Sequence, residues 1–160
     1  MILTTSRKPG RKTRRFAKVI SRYFNWTYIQ RGKTPSQEFG SRYAIVQEIK
    51  GNPAVLKIYD GEEVFSMRFS VGEINKIKMG REIPVFFGKV PFARCLRYFN
   101  ALSADERVSR KVAKSLLSPK SVFVRKKDDR LVFELTYDRK IVTRVISHER
   151  WIFCSGKVRQ

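Results

Sequence analysis

Apolar residues recur at helical spacing near the beginning of the chain. Their positions follow the i, i+3, i+4, i+7, i+8 pattern of one helix face: Phe16, Val19, Ile20, Tyr23 and Phe24. At about 100° per residue, the opposite face carries only basic side chains: Arg11, Arg14, Arg15, Lys18 and Arg22. The pattern therefore predicts an amphipathic helix over residues 11–24 whose polar face is cationic.

Runs rich in β-branched and aromatic residues predict strands before and after this helix. The predicted extended segments cover residues 2–6, 26–30, 43–49, 54–59, 63–71, 81–88, 121–126, 130–137 and 140–147. Turn dipeptides at Asp60-Gly61, Asp128-Asp129 and Asp138-Arg139 separate the strands of two three-stranded meanders. The near-continuous apolar run at 81–88 predicts a strand that is buried on both faces. A loop with a short helix after Thr34 precedes the first meander.

Two helical patterns lie between the meanders. In the first, one face holds Phe92, Cys95 or Leu96, Phe99 and Leu102. The second, over residues 104–117, begins with a capping box, because Glu106 follows Ser103 by three positions. Its basic residues point away from its apolar face: Arg107, Arg110, Lys111 and Lys114.

The order of elements occurs twice along the chain. An offset of 78 residues places Val46 on Val124, although it also places Leu56 on Glu134. This repetition predicts an α/β fold with mixed sheets, in two similar halves related by a pseudo-twofold axis. The predicted organisation is one domain, residues 1–160, with an N-terminal half 1–80 and a C-terminal half 81–160.

The chain is strongly basic. Its 35 Lys and Arg residues and 14 Asp and Glu residues give a net charge of +21. The first half carries 16 basic and 6 acidic residues and the second half 19 and 8, so both halves are cationic. Ten basic residues precede the first acid, Glu38. Such an excess favours an anionic partner, and nucleic acid is the first expectation. No membrane-spanning segment, signal peptide or lipidation signal is evident.

Candidate catalytic groups are sparse. The single histidine, His148, is expected at a surface or edge position, and the acidic pairs fall in predicted turns. Cys95 and Cys154 lie far apart without metal-ligand spacing, so we expect two buried free thiols in a reducing cytoplasm rather than a zinc site or a disulfide. The sequence therefore predicts no enzyme, no catalytic residues, no metal and no cofactor.

The cationic helix face is the most specific signal. Solvated helix faces usually pair bases with acids at i+4, and this face has no acids. Arginine also binds phosphate bidentately and stacks on bases. The helix N-terminus, with the Ser6 and Thr13 hydroxyls nearby, is a natural anion site. The alternative is a plain solvated face. The aromatic residues Trp26, Tyr28, Trp151 and Phe153 either stack on bases or fill the core, and Lys157 and Arg159 add a weaker basic tail.

The stretch TSRKPGRKTRRFAKVISRYF, followed by WTYIQRGK, resembles the opening signature of the Brix-domain family of ribosome-biogenesis proteins, in its short archaeal single-domain form. The resemblance is dense over residues 3–33 and beyond them is one of length and element order. It implies a fold similar to two fused copies of the anticodon-binding domain of class II aminoacyl-tRNA synthetases. Carried over by position, the signature residues are Ser6, Arg7, Lys8, Arg14, Arg15, Lys18, Arg31 and Lys33.

The resemblance implies a non-catalytic factor that binds rRNA or pre-rRNA during ribosome assembly, in the branch associated with the small subunit. Other ribosome-assembly proteins are further candidate partners, and a monomer in the cytoplasm is expected. The candidate RNA-binding residues are Ser6, Arg7, Lys8, Arg11, Lys12, Arg14, Arg15, Lys18, Arg22, Arg31 and Lys33. Two alternatives remain at this point: a basic protein–protein interaction module in an assembly complex, and a nonspecific nucleic-acid-binding protein.

Overall fold

The structure, a computed structural model, describes residues 1–104 and 118–155 of the 160-residue chain. The predicted amphipathic helix forms as α1, Arg11–Tyr23, and two 3₁₀ helices cover Ser36–Phe39 and Ala93–Phe99. The strands are β1 Ile2–Thr5, β2 Thr27–Tyr28, β3 Arg42–Ile49, β4 Asn52–Asp60, β5 Glu62–Val71, β6 Val85–Phe87, β7 Leu102–Ala104, β8 Lys120–Lys127, β9 Arg130–Tyr137 and β10 Lys140–Cys154.

These ten strands form one mixed sheet in the order β2-β1-β3-β4-β5-β10-β9-β8-β6-β7. β1 runs parallel to β2 and β3, and β6 runs parallel to β7 and β8. The remaining neighbours, including β5 and β10 at the centre, are antiparallel. Counted outward from the β5–β10 pair, the strands of each half occur in the same order. The prediction of an α/β fold with mixed strand pairing is confirmed, although the strands form one continuous sheet instead of separate sheets.

Both meanders turn where the sequence signals predicted. Gly61, between β4 and β5, has φ 77°, a conformation that glycine adopts without a Cβ penalty. Asp138 and Arg139, between β9 and β10, both have positive φ, as a two-residue type I′ hairpin requires. Asp128 also has positive φ in the turn after β8. The turn chemistry therefore fixes the strand boundaries in both halves.

The core is built from aromatic rings supplied by both halves. Phe99 of the Ala93–Phe99 helix lies 5.1 Å from the ring of Phe24, which follows α1, and 5.2 Å from the ring of Phe65 on β5. The Tyr23 hydroxyl at the end of α1 donates a 3.0 Å hydrogen bond to the carbonyl oxygen of Thr136 on β9, and burial raises the pKa of Tyr23. The two halves therefore share one hydrophobic core.

β6 is buried on both faces, as the apolar run predicted, although it is shorter than expected. Phe86 belongs to the main core, whereas Val85 and Phe87 pack with Ala104 in a second cluster. Alternate residues of a strand point to opposite faces, so β6 contributes to both clusters.

The helical predictions between the meanders are wrong in part. Cys95, Leu96 and Phe99 are buried on the Ala93–Phe99 helix, but Leu102 lies on β7 and is 54% exposed. The helix ends at Asn100, whose left-handed backbone (φ 51°) turns the chain before Leu102. Ser103, the predicted N-cap, also lies on β7, and the rest of the helix predicted over residues 104–117 lies outside the described residues.

The cysteine prediction is wrong. Cys95 and Cys154 form a disulfide, with their Cα atoms 6.3 Å apart. The sheet brings them together, because β10 runs along β5 and its last residues pass the Ala93–Phe99 helix. A separation of 59 residues hides such a pair in the sequence.

Candidate nucleic-acid interface

α1 presents one buried face and one basic face, as its periodicity predicts. Its buried residues include Phe16, Val19, Ile20 and Tyr23. Its exposed residues are all basic: Arg11, Lys12, Arg14, Arg15, Lys18 and Arg22. Because the apolar side packs on β1, β3 and β4, the charged side is held in a fixed orientation toward solvent.

This charged side forms one wall of a groove of about 450 Å³. The groove is lined by Arg11, Arg14, Arg15, Lys18, Val19, Arg22, Tyr28, Gln30 and Lys76. Five of these nine residues are the basic side chains that the helical pattern placed on one face. The ammonium group of Lys18 lies 6.0 Å from the centroid of the Tyr28 ring. The site is therefore concave, with an aromatic side chain beside its positive charges.

Lys76 is a groove residue that sequence analysis missed. It lies in the segment between β5 and β6, which has neither helical nor strand periodicity. Asn75 fixes this segment: its backbone N–H donates to the Val142 carbonyl at 2.8 Å, and its side-chain amide donates to the Ile141 carbonyl at 3.0 Å. β10 therefore positions Lys76 opposite α1, and only the tertiary structure shows it.

The other predicted RNA-binding residues do not line the groove. Arg7, Lys8, Lys12 and Lys33 are exposed, and Ser6 is half-buried. The backbone N–H of Ser6 donates to the Val46 carbonyl at 3.0 Å, which continues the pairing of β1 with β3. Arg31 donates from Nε to the Thr34 carbonyl at 3.0 Å and so stabilises its own loop.

An acidic side chain from another element lies at the N-terminus of α1. The Glu48 carboxylate on β3 accepts a 2.7 Å hydrogen bond from the backbone N–H of Gly10, the N-cap residue. This negative charge lies at the positive end of the helix dipole, where it stabilises the helix. The predicted open anion site at this terminus is therefore wrong in part, because a carboxylate of the protein already lies there. Thr13 is fully buried, so its hydroxyl is not available to solvent either.

The C-terminus of α1 is held by a buried lysine from the second half. Lys120 on β8 donates from Nζ to the Arg22 carbonyl and to Asn25 Oδ1, both at 3.1 Å. A positive charge at the negative end of a helix is favourable. Burial lowers the pKa of Lys120, partly opposed by the Glu82 carboxylate. Both helix ends are therefore stabilised by charges that lie far away in the sequence.

The four aromatic residues left open by the sequence divide into three groups. Trp26 is 6% exposed, and its indole N–H donates to the Tyr98 carbonyl at 2.9 Å, so it belongs to the core. Tyr28 is half-buried at the groove. Trp151 and Phe153, on β10, are 38% and 51% exposed.

Outside the groove, the described residues show few groups arranged for chemistry. His148 is half-buried on β10, a central strand of the sheet, and its Nδ1 donates to the Asp129 carbonyl at 2.9 Å. Residues 1–104 and 118–155 contain no cluster of three His, Cys, Asp or Glu side chains suited to a metal ion. Within the same ranges, no helix is long and apolar enough to cross a bilayer. The arrangement that stands out is a rigid, concave array of guanidinium and ammonium groups, which suits a polyanion.

Solved structures with the same fold are known. An archaeal Imp4-like protein, Mil, matches with a TM-score of 0.69 at 24% identity, over 97% of this chain and 100% of that one. A ribosomal biogenesis protein from Aeropyrum pernix matches with a TM-score of 0.68 at 16% identity, over 99% and 98% of the two chains. At these identities the likeness establishes the fold.

Sequence relatives establish the family, although a scan against protein-family models finds no match. A Brix domain-containing ribosomal biogenesis protein of Archaeoglobus fulgidus is 51% identical over 94 residues, which are 56% of this chain and 61% of that relative's length. Relatives of the same description from Methanosarcina mazei and Methanothermobacter thermautotrophicus are 37% and 33% identical, over 62% and 69% of this chain. The matched segments span 69% and 76% of those two relatives. The chain therefore belongs to the Brix-domain family of ribosome-biogenesis proteins.

Proposed function

We propose that this protein is a non-catalytic rRNA-binding factor that acts in the cytoplasm on precursors of the small ribosomal subunit. The observation that carries the proposal is the groove along α1, where six basic side chains face one concave surface. Ribosome biogenesis is proposed as the process because the chain belongs to the Brix-domain family. The small subunit is proposed because the N-terminal signature resembles the branch of the family associated with that subunit. Other assembly proteins are secondary partners.

The charges of the groove favour phosphate over an acidic protein surface. Arg11, Arg14, Arg15 and Arg22 present planar guanidinium groups, which match pairs of phosphate oxygens. None of these four takes part in the ion pairs found among the described residues, which involve Arg42, Lys57, Lys126 and Arg144. On binding, phosphates would supply the counter-charge that the helix itself lacks.

The symmetry of the sheet supports the related proposal that the two halves, residues 1–80 and 81–160, arose by duplication within one domain. Val46 pairs with Leu56 in the first meander, and its counterpart Val124 pairs with Phe133 in the second. The mismatch of Leu56 with Glu134 therefore disappears when the second strand is aligned one residue earlier. As part of the same proposal, the two halves would resemble two fused copies of the anticodon-binding domain of class II aminoacyl-tRNA synthetases.

The decisive experiment measures rRNA affinity against salt concentration for wild type and the Arg14→Ala/Arg15→Ala variant. Each phosphate contact contributes about −0.7 to −0.9 to the slope of log K on log salt. We expect the variant to bind more weakly across all RNAs and to lose about two contacts from its slope. Its melting temperature should stay near wild type, because both side chains are exposed.

A charge-matched control removes two exposed basic residues of the second half, Lys89→Ala with Arg94→Ala. This variant lowers the net charge equally but leaves the groove intact, so we expect a smaller loss of affinity. An equal loss in both variants would make net charge, not the groove, responsible. A slope near zero in wild type would favour the protein-interaction alternative, and equal affinity for duplex DNA would favour nonspecific binding.

A further inference from the structure

The last residues of β10 expose two large aromatic side chains next to basic ones. Trp151 and Phe153 are 38% and 51% exposed, although they lie in a strand paired with β5. Neither residue lines the α1 groove. The sequence alone could not decide between core and surface for them.

A bulge in β10 explains why these rings reach solvent. Ser147 pairs with Phe69 and Ile152 pairs with Met67, so five steps along β10 match two steps along β5. The extra residues on β10 bend the strand and turn side chains outward. Cys154 is held toward the core by its disulfide, and Phe153, its neighbour, points to the other face of the sheet.

Cationic side chains surround the Trp151 indole. The guanidinium carbons of Arg68, on β5, and Arg150 each lie 5.6 Å from its ring. The His148 ring makes an edge-to-face contact at 4.2 Å. The nearest acid along the strand, Glu149, forms an ion pair with Lys126 at 3.5 Å. The positive charge of the two arginines beside Trp151 is therefore not neutralised by Glu149.

We propose that Arg68, Arg150, Trp151 and Phe153, here called the Trp151 cluster, bind unpaired nucleotides of RNA. The proposal rests on the proposed function, because it takes RNA as the partner. An exposed indole offers a stacking surface for a base, and nearby guanidinium groups bind the phosphates or extend the stack. A base within a duplex is already stacked and cannot use this surface.

The charge of the cluster argues for RNA over a protein partner. Protein interfaces are also rich in tryptophan, phenylalanine and arginine, so the residue types of the cluster alone do not distinguish RNA from protein. RNA is favoured because two arginines lie beside the Trp151 ring on a chain of net charge +21. The groove along α1 would hold the RNA backbone, whereas the Trp151 cluster would favour RNAs with exposed bases.

The test compares two RNAs of equal length, one with an unpaired loop and one fully paired, by fluorescence anisotropy. We expect Trp151→Ala to weaken loop-RNA binding about five- to tenfold and to leave duplex binding within about twofold, because stacking requires an exposed base. Trp151→Phe is the matched control: it keeps an aromatic ring and should retain most of the loop-RNA affinity. Thermal melts confirm that each variant is folded.

Intrinsic fluorescence gives a second readout from the same samples. Loop RNA should quench the wild-type emission, and the quench should disappear in Trp151→Phe, where only the buried Trp26 remains. Unchanged loop-RNA affinity in Trp151→Ala, or no quench in wild type, would overturn the proposal. If Arg14→Ala/Arg15→Ala has no effect while Trp151→Ala does, the groove proposal fails and the Trp151 cluster stands.

Discussion

α1 and the Ala93–Phe99 helix occupy corresponding places in the order of elements of the two halves, but they differ in length, exposure and charge. Seven of the thirteen residues of α1 are buried. The exposed remainder is entirely basic, and all of it except Lys12 lines a groove. The Ala93–Phe99 helix is half as long and buries Cys95, Leu96, Tyr98 and Phe99. Its Arg97 lies 4.9 Å from the Tyr98 ring and packs on the protein's own surface.

The comparison teaches that net charge does not define an interface. The two halves differ by a single unit of net charge, +10 against +11. Among residues 1–104 and 118–155, it is in the first half that basic side chains share one face of an α-helix, with a facing wall from Lys76 and Tyr28.

The largest expected effect is on the free energy of unfolding, and it distinguishes the Ala93–Phe99 helix from α1. Phe99→Ala removes a ring that contacts Phe24, Phe65 and Phe92, and we expect a loss of about 3 to 5 kcal/mol in the free energy of unfolding. Urea denaturation measures it. The RNA affinity of the folded fraction should stay unchanged, since the groove is elsewhere. A selective loss of RNA binding with normal stability would remove the distinction between the helices.

Lys120 links the halves, and its substitution tests whether α1 depends on the second half. Lys120→Met keeps the length of the side chain but leaves the Arg22 carbonyl and Asn25 Oδ1 without their donor. We expect a loss of about 1 to 3 kcal/mol in unfolding free energy, the usual cost of unpaired buried groups. No change in the urea midpoint would show that the ammonium contacts only offset its desolvation.

The loss of stability in Lys120→Met is expected to depend on pH. Burial lowers the pKa of Lys120 in the folded state below its ordinary value of 10.5. Between the two values the unfolded chain binds more protons, so the wild-type free energy of unfolding rises with pH through this window. The deficit of Lys120→Met relative to wild type should therefore widen as the pH approaches 10.5. A constant deficit would mean that the pKa is not lowered.

The smallest expected effect concerns the N-terminus of α1. Glu48→Gln keeps an acceptor for the Gly10 N–H but removes the charge that faces the helix dipole, and we expect a loss of about 0.3 to 1 kcal/mol in stability. RNA affinity should rise slightly at low salt, because one negative charge leaves the neighbourhood of the groove. Lower affinity would indicate that Glu48 positions the basic residues instead of opposing the phosphate.

Elements with local signals were predictable. The helical spacing of Phe16 to Phe24 placed α1 and its cationic face, and turn residues such as Gly61 placed both meanders. These patterns involve residues that are only a few positions apart, so they can be recognised in a single sequence without a structure. The groove residues on α1 were therefore predicted, although their facing wall was not.

Features that depend on distant residues were not predictable. Glu48, Lys120 and Lys76 reach α1 from three separate elements, and no spacing rule connects them to it. The placement of Leu102 on a helix was wrong because periodicity does not reveal the left-handed turn at Asn100. Helical and extended patterns overlap over such short apolar runs.

The disulfide makes a closed covalent ring of the segment from Cys95 to Cys154, which contains β7, β8, β9 and all of β10. A protease that cuts once within this ring cannot separate the two products, because the sulfur–sulfur bond still joins them. On a gel run without reductant, such a nicked chain would migrate as one species, and reductant would release two fragments. The strand that carries Trp151 is thus retained with the body of the protein after a single cut.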